Sequence, residues 1–94
     1  MHAVVATVEI EAGKGEEATK ILREVVVPQV KGTPGFVSGT WAHSADGKHG
    51  HSMVLFESKE AAEAAATNLQ QQGPPPEAPV KLAYVQVYEV LAQA

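Results

Sequence analysis

The chain has 94 residues, which suffices for one domain with one hydrophobic core and leaves no room for a second. Its formal net charge is −4, and its seven Lys and Arg residues are scattered along the chain. Nucleic-acid binding relies on clustered basic side chains, so we expect no nucleic-acid partner. The absence of cysteine excludes disulfides, thiol catalysis and Cys-type metal sites.

The first predicted element is a β-strand over residues 3–11, which is rich in β-branched side chains and alternates toward its end. Glu9 and Glu11 follow too soon for a signal peptide, and the chain does not start with a cationic segment. No run approaches the ~18 apolar residues of a membrane span. We therefore expect a cytoplasmic protein with no membrane partner.

A helix is predicted next, beginning at Glu16, since acidic side chains favour a helix N-terminus. Its apolar residues recur at the spacing of a core-facing helix: Ala18, Ile21, Leu22 and Val25. Pro28 lacks the backbone N–H that would continue the helix. We expect a kink or restart there and a last turn that ends by Gly32.

Residues 33–36 suit a type II turn, with Pro34 second and Gly35 third. Two strands, over about 36–44 and 49–57, are predicted to follow, joined by a hairpin turn in which Gly47 takes a positive φ.

Ser58 is a suitable N-cap for an Ala-rich helix over 59–72, and a Gly-Pro-rich loop then leads to a last strand over 80–91. The order βαββαβ predicts an α+β, ferredoxin-like fold that forms a single domain over residues 1–94. Its four-stranded antiparallel sheet carries both helices on one face.

The sheet face without helices is not polar. Both faces of the last two strands carry apolar side chains: Met53 and Leu55 against Val54 and Phe56, and Val80, Leu82, Tyr84, Tyr88 and Val90 against Ala83, Val85, Val87 and Leu91. Soluble monomers avoid so large an exposed apolar patch. We expect a homodimer that packs through this open sheet face; the alternative is that a few strand residues are simply exposed.

The βαββαβ order, the Pro34-Gly35-Phe36 turn and the run VLFESKEAAEAAA over 54–66 resemble the antibiotic-biosynthesis-monooxygenase-type family over nearly the whole chain. The superfamily consists of dimeric α+β barrels. The resemblance therefore implies that fold, a homodimer and a small-molecule pocket between sheet and helices. Activities in the superfamily include cofactor-independent oxidation of aromatic polyketides, quinol oxidation and haem degradation, and many members have no known activity.

Haem degradation in this superfamily uses an Asn in the first strand, a Trp near the end of the third and a His in the second helix. Here the first strand has no Asn, Phe56 stands near the Trp position and the helix over 59–72 has no His. We therefore expect no haem and no other cofactor.

The hairpin holds the richest polar chemistry of the chain. Alternation places Trp41 and His43 on one face of their strand, and His49 and His51 on one face of the next. Whether these two faces coincide depends on the length of the loop between the strands.

A three-residue loop over 45–47 would bring the four side chains to one side. A two-residue loop over 46–47 would separate them, because a one-residue slip in register reverses every side chain. We favour the three-residue loop, since a type I turn followed by Gly in the left-handed region is common.

An oxidase without a cofactor needs a base, an apolar pocket and donors for the substrate oxyanion. We predict His51 as the base, because histidine titrates near neutrality, and Trp41 as a wall and N–H donor. The predicted substrate-binding residues are His43, Tyr84, Phe56 and Leu22. The alternative is that these aromatic residues serve the core or the dimer interface.

Three His residues on neighbouring strands could bind zinc with Asp46 as a fourth ligand, but no carboxylate has the spacing of a metal motif, and we expect no metal. Two functions remain open. The first is a cofactor-independent monooxygenase-like protein acting on a small aromatic or quinone-like compound. The second is a non-catalytic small-molecule-binding or structural barrel.

Overall fold

The computed structural model describes residues 1–94. Its elements are β1 (His2–Ile10), α1 (Gly15–Ile21), a π-helical turn (Leu22–Val26), α2 (Val27–Lys31), β2 (Phe36–His43), β3 (His49–Phe56), α3 (Lys59–Gln72) and β4 (Val80–Glu89). The four strands form one antiparallel sheet in the order β2-β3-β1-β4. The predicted ferredoxin-like α+β fold is confirmed. None of the helices combines the length and apolar character that crossing a bilayer requires.

The first helical segment runs through Pro28 without ending there. In an α-helix the proline ring would clash with the carbonyl of Glu24. The chain instead widens into the π-helical turn just before the proline and returns to α-helix as α2, which ends at Lys31. The predicted restart is therefore a change of helix type, and the last turn ends where expected.

The core lies between α3 and the sheet, and its largest cluster of buried residues consists of Val4, Val54, Phe56, Ala62 and Ala66. Ser58 caps α3, since its Oγ accepts a hydrogen bond of 3.1 Å from the Ala61 N–H. The helical segment over 15–31 buries no residue completely. One end of the helix layer is thus tightly packed and the other is loose.

A β-bulge in β4 changes the predicted alternation. Thr7 pairs with Tyr84 and Val8 pairs with Leu82, so Ala83 is an extra residue. Leu82 therefore lies on the helix-facing side, while Tyr84 lies on the open face. Simple alternation had placed these two side chains together, and that prediction is wrong.

The favoured hairpin register is also wrong. Ser44 pairs with His49 through an N–H···O bond of 2.8 Å, Trp41 lies opposite Ser52, and Ala42 lies opposite His51. This is the register that the two-residue alternative implied, although the loop between the paired residues spans 45–48.

Side-chain hydrogen bonds hold this loop. Asp46 Oδ1 accepts from the Ser44 hydroxyl at 2.6 Å and from the Lys48 N–H at 2.9 Å. The Ser44 Oγ accepts in turn from the His49 N–H at 3.1 Å. As a consequence, Trp41 and His43 face the helices, whereas the histidines of β3 face the open side.

Candidate functional site

A cleft of about 590 Å³ lies between α1 and the sheet. Its lining comes from the end of β1, from α1 with the π-helical turn, and from the hairpin: Ile10, Gly15, Glu16, Thr19, Lys20, Arg23, Glu24, His43 and Gly47. Ile10 is the only large apolar residue among them. Most of the surface that these residues present to the cleft is nevertheless apolar, because carbon atoms of the polar and charged side chains contribute to it.

The helix-facing side chains of the sheet become smaller toward the end at which the cleft lies. Under α3 that face carries Val4, Val54 and Phe56, which are buried. Two residues farther along each strand it carries Ala6 opposite Ser52, and then Val8 opposite Gly50. The cleft itself borders the sheet and its hairpin at Ile10, His43 and Gly47.

The π-helical turn contributes Arg23 and Glu24 to the cleft, beside Glu16 and Lys20 from α1. None of these four charged side chains forms an ion pair, since the two ion pairs of the chain join Lys14 to Glu17 and Lys59 to Glu63. The four groups therefore remain available to a ligand.

His43 is the one imidazole that lines the cleft. Its Nδ1 donates a hydrogen bond of 2.9 Å to the Ser44 carbonyl. A carbonyl oxygen can only accept, so the proton of the neutral ring is held on Nδ1. The Nε2 atom is then left as a free acceptor, which is the arrangement that a general base requires.

Three predicted site residues, two on the helix-facing side of the sheet and one in the helix layer, lie outside the lining of the cleft. Trp41 packs against the core, and its indole covers Gly39 so closely that a Cβ there would lie 2.6 Å from the ring. Phe56 is a core residue with 2% exposure. Leu22 is half-buried in the π-helical turn.

The other two predicted site residues lie on the open face, away from the cleft. His51 Nδ1 and Thr7 Oγ1 share a hydrogen bond of 3.2 Å. The hydroxyls of Tyr84 and Tyr88 are hydrogen-bonded to each other, and this bond raises the pKa of Tyr84 above its usual range. The structure thus brings only His43 of the predicted set to the cleft.

Sequence analysis missed the charged residues of the first helix. Glu16, Lys20, Arg23 and Glu24 are spaced by three or four residues, which is the signal of one helix face. A charged stripe of this kind usually lies in solvent. Here it lines a cleft, because α1 leaves a space between itself and the sheet.

No protein-family model and no curated protein sequence matches the chain. Among solved structures, it is similar to the haem degrader MhuD of Mycobacterium tuberculosis with two haems bound in its active site (TM-score 0.76, 21% identity, 100% of this chain and 99% of that one). It is also similar to a monooxygenase of Streptomyces coelicolor in complex with nanaomycin D (TM-score 0.62, 18% identity, 99% and 89% covered). The predicted likeness in fold to monooxygenases of the antibiotic-biosynthesis type is confirmed.

The residues of this chain do not fit a haem. The helix α3 contains no histidine that could ligate the iron, and four of the side chains that line the cleft are charged. No three His, Asp or Glu side chains converge where they could hold a metal ion.

Proposed function

We propose that this protein, acting as one domain over residues 1–94, is a cofactor-independent monooxygenase-like protein whose substrate is a small aromatic or quinone-like compound. The observation that carries the proposal is the cleft between α1 and the sheet, where His43 presents a free Nε2. The likeness in fold to monooxygenases supports the reaction type.

The proposed chemistry begins with proton removal from the substrate by His43 Nε2. A methylene group flanked by aromatic rings would lose this proton and form a carbanion whose charge spreads to a ring oxygen. The carbanion transfers electrons to O₂; one oxygen atom becomes a carbonyl on the substrate, and the other leaves as water with both hydrogens. Lys20 and Arg23 stabilise the oxyanion from the roof of the cleft.

The test is oxygen consumption across a panel of phenols, hydroquinones and anthrones. We expect wild type to accelerate uptake for at least one of them. The variant His43→Gln should lose about 10²- to 10⁴-fold, the usual contribution of a general base. His49→Gln, which alters an exposed imidazole on the other sheet face, is the matched control and should keep the wild-type rate. Equal background rates for wild type and His43→Gln on every compound would refute the proposed enzymatic activity.

A second candidate function, non-catalytic binding of a small molecule, is favoured by the four charged side chains that line the cleft and by the exposure of His43. Titration with 2-hydroxy-1,4-naphthoquinone, followed through backbone amide shifts, separates the two. Shifts confined to α1 and the hairpin without oxygen uptake on the panel support the binding protein.

We further propose a homodimer formed through the open sheet face. Met53, Tyr84 and Tyr88 are 50%, 44% and 45% exposed there. The hydroxyls of Tyr84 and Tyr88 are hydrogen-bonded to each other, so that covering these two rings leaves neither hydroxyl without a partner. Light scattering should give twice the chain mass, and a monomer at all concentrations would contradict this proposal.

A further inference from the structure

The charged side chains of the open face are confined to one end of the sheet. Glu9 pairs with His49 on one side and with Lys81 on the other, and this row closes the face near the hairpin turn. The three rows beyond it carry no Asp, Glu, Lys or Arg: Ala42, His51, Thr7 and Tyr84; then Thr40, Met53, Val5 and Gln86; then Ser38, Leu55, Ala3 and Tyr88.

His51 is therefore the only group in this uncharged area that can gain a charge near neutral pH. It lies beside Thr7, whose Oγ1 shares a hydrogen bond with its Nδ1. Apolar Met53 follows on the same strand and the same face. A second copy that covers this area would cover the imidazole as well.

We propose that the protonation of His51 controls self-association through the open face, so that the neutral imidazole permits the dimer and the imidazolium disfavours it. The inference rests on the proposed homodimer and adds a pH dependence to it. Taking a charged ring out of water is costly, whereas a neutral ring that is already hydrogen-bonded can be covered at little cost.

The other ionisable groups of this face lie at the edge of the uncharged area. Glu9 lies diagonally across from His51 on β1. His49 on the same strand and Lys81 on β4 lie in the end row, and β2 presents no ionisable group to this face. Tyr84 stays neutral throughout this pH range, because its hydroxyl titrates in the alkaline range.

The size of the effect follows from linkage. A two-fold dimer covers one His51 from each subunit, and each must be neutral before it is covered. Each subunit therefore contributes one proton-linked loss of affinity as the pH falls. We expect the dissociation constant to rise about a hundredfold between pH 8 and pH 5.5.

The experiment is sedimentation equilibrium of the full chain at pH 8 and pH 5.5, with circular dichroism to show that the subunit stays folded at both. The variant His51→Gln keeps a hydrogen-bonding side chain without a titrating ring and should remain dimeric at pH 5.5. His49→Gln should keep the wild-type pH dependence. His51→Lys, which is charged at both pH values, should already be largely monomeric at pH 8.

The outcomes separate this inference from the dimer itself. A dimer at pH 8 that dissociates at pH 5.5 only when His51 is present supports it. A wild-type dimer of equal affinity at both pH values, or a pH dependence that persists in His51→Gln, overturns it and leaves the dimer standing. A monomer at both pH values in wild type overturns both.

Discussion

The two ends of the helix layer cover the same sheet in opposite ways. The helix α3 lies so close to the sheet that Ala62 has no exposed surface. The helix α1 buries no residue and leaves a cleft of about 590 Å³ beneath it. Because both helices pack on the same sheet face, the difference comes from their side chains and from the strand residues below them.

Small residues have opposite effects at the two ends. In α3, Ala62 and Ala66 let the helix approach the large side chains of the strands, and the space is filled. Toward the cleft end of the sheet Gly50 and Ser52 are small, but α1 buries no residue of its own there. A core forms where small side chains of one layer pack against large side chains of the other. A cleft forms where the space between the two layers stays unfilled.

The sharpest test of this contrast is one substitution made in both helices. Ala62→Leu adds three carbon atoms to a filled space and should lower the free energy of unfolding by about 3 kcal/mol. Ala18→Leu, at a half-buried position of α1, should change it by less than about 0.5 kcal/mol. Urea unfolding measures both, and equal losses would show that the two ends are packed alike.

Two glycines extend the comparison to the turns. Gly35 has a φ of +81°, and a Cβ there would lie 2.7 Å from the Ala61 Cβ, so Gly35→Ala should cost about 2.5 kcal/mol from backbone strain and overpacking together. Gly47 has a φ of +71° but open space around it, and Gly47→Ala should cost only about 1 kcal/mol. Thermal unfolding of the two variants measures this difference in stability. Equal losses would show that α3 can shift away from the turn to make room for the added methyl group.

A matched pair of valines tests the sheet itself. Val54→Ala removes two methyl groups from the core under α3 and should destabilise the protein by about 2 kcal/mol. Val8→Ala removes the same groups from the half-buried end and should cost about 1 kcal/mol, since part of that surface already meets water. A larger loss at Val8 would contradict the loose packing of the cleft end.

The structure of the packed end could be predicted from the sequence, whereas the side-chain positions at the cleft end could not. The Ser58 cap, the Ala-rich helix after it and the turn at Gly35 follow from local rules, and the structure confirms each of them. The faces of β2 and β4 depend instead on single extra residues. The bulge at Ala83 and the hairpin loop each move side chains by one position, and an alternating pattern cannot reveal which residue is extra.

The hairpin loop shows why the site was harder to predict than the fold. Both candidate loops allow Gly47 its positive φ, so the glycine does not distinguish them. The register is held by Asp46, which accepts hydrogen bonds from Ser44 and Lys48, and such side-chain bonds depend on the closed turn. These bonds hold the register that places the His43 side chain, the candidate base, on the helix-facing side of the sheet.

The smallest effect that we predict comes from this loop at acid pH. The hydrogen bond from the Ser44 hydroxyl, and next the bond from the Lys48 N–H, lower the pKa of Asp46. A carboxylate with a lowered pKa stabilises the fold above its unfolded pKa of about 3.9, and the stabilisation is lost as the pH falls through the folded value. We therefore expect the cleft end to loosen below about pH 4 while the α3 end holds.

Hydrogen exchange of single amides measures this loosening. As the pH falls, protection relative to the intrinsic exchange rate should be lost first at Lys48 and His49, whose N–H groups bond within the loop, and later at Val54. In Asp46→Asn the loop amides should be less protected at neutral pH and should show no acid transition of their own, because an amide does not titrate in this range. Simultaneous loss of protection at both ends would mean that the sheet opens as one unit, and that the two ends differ in packing but not in stability.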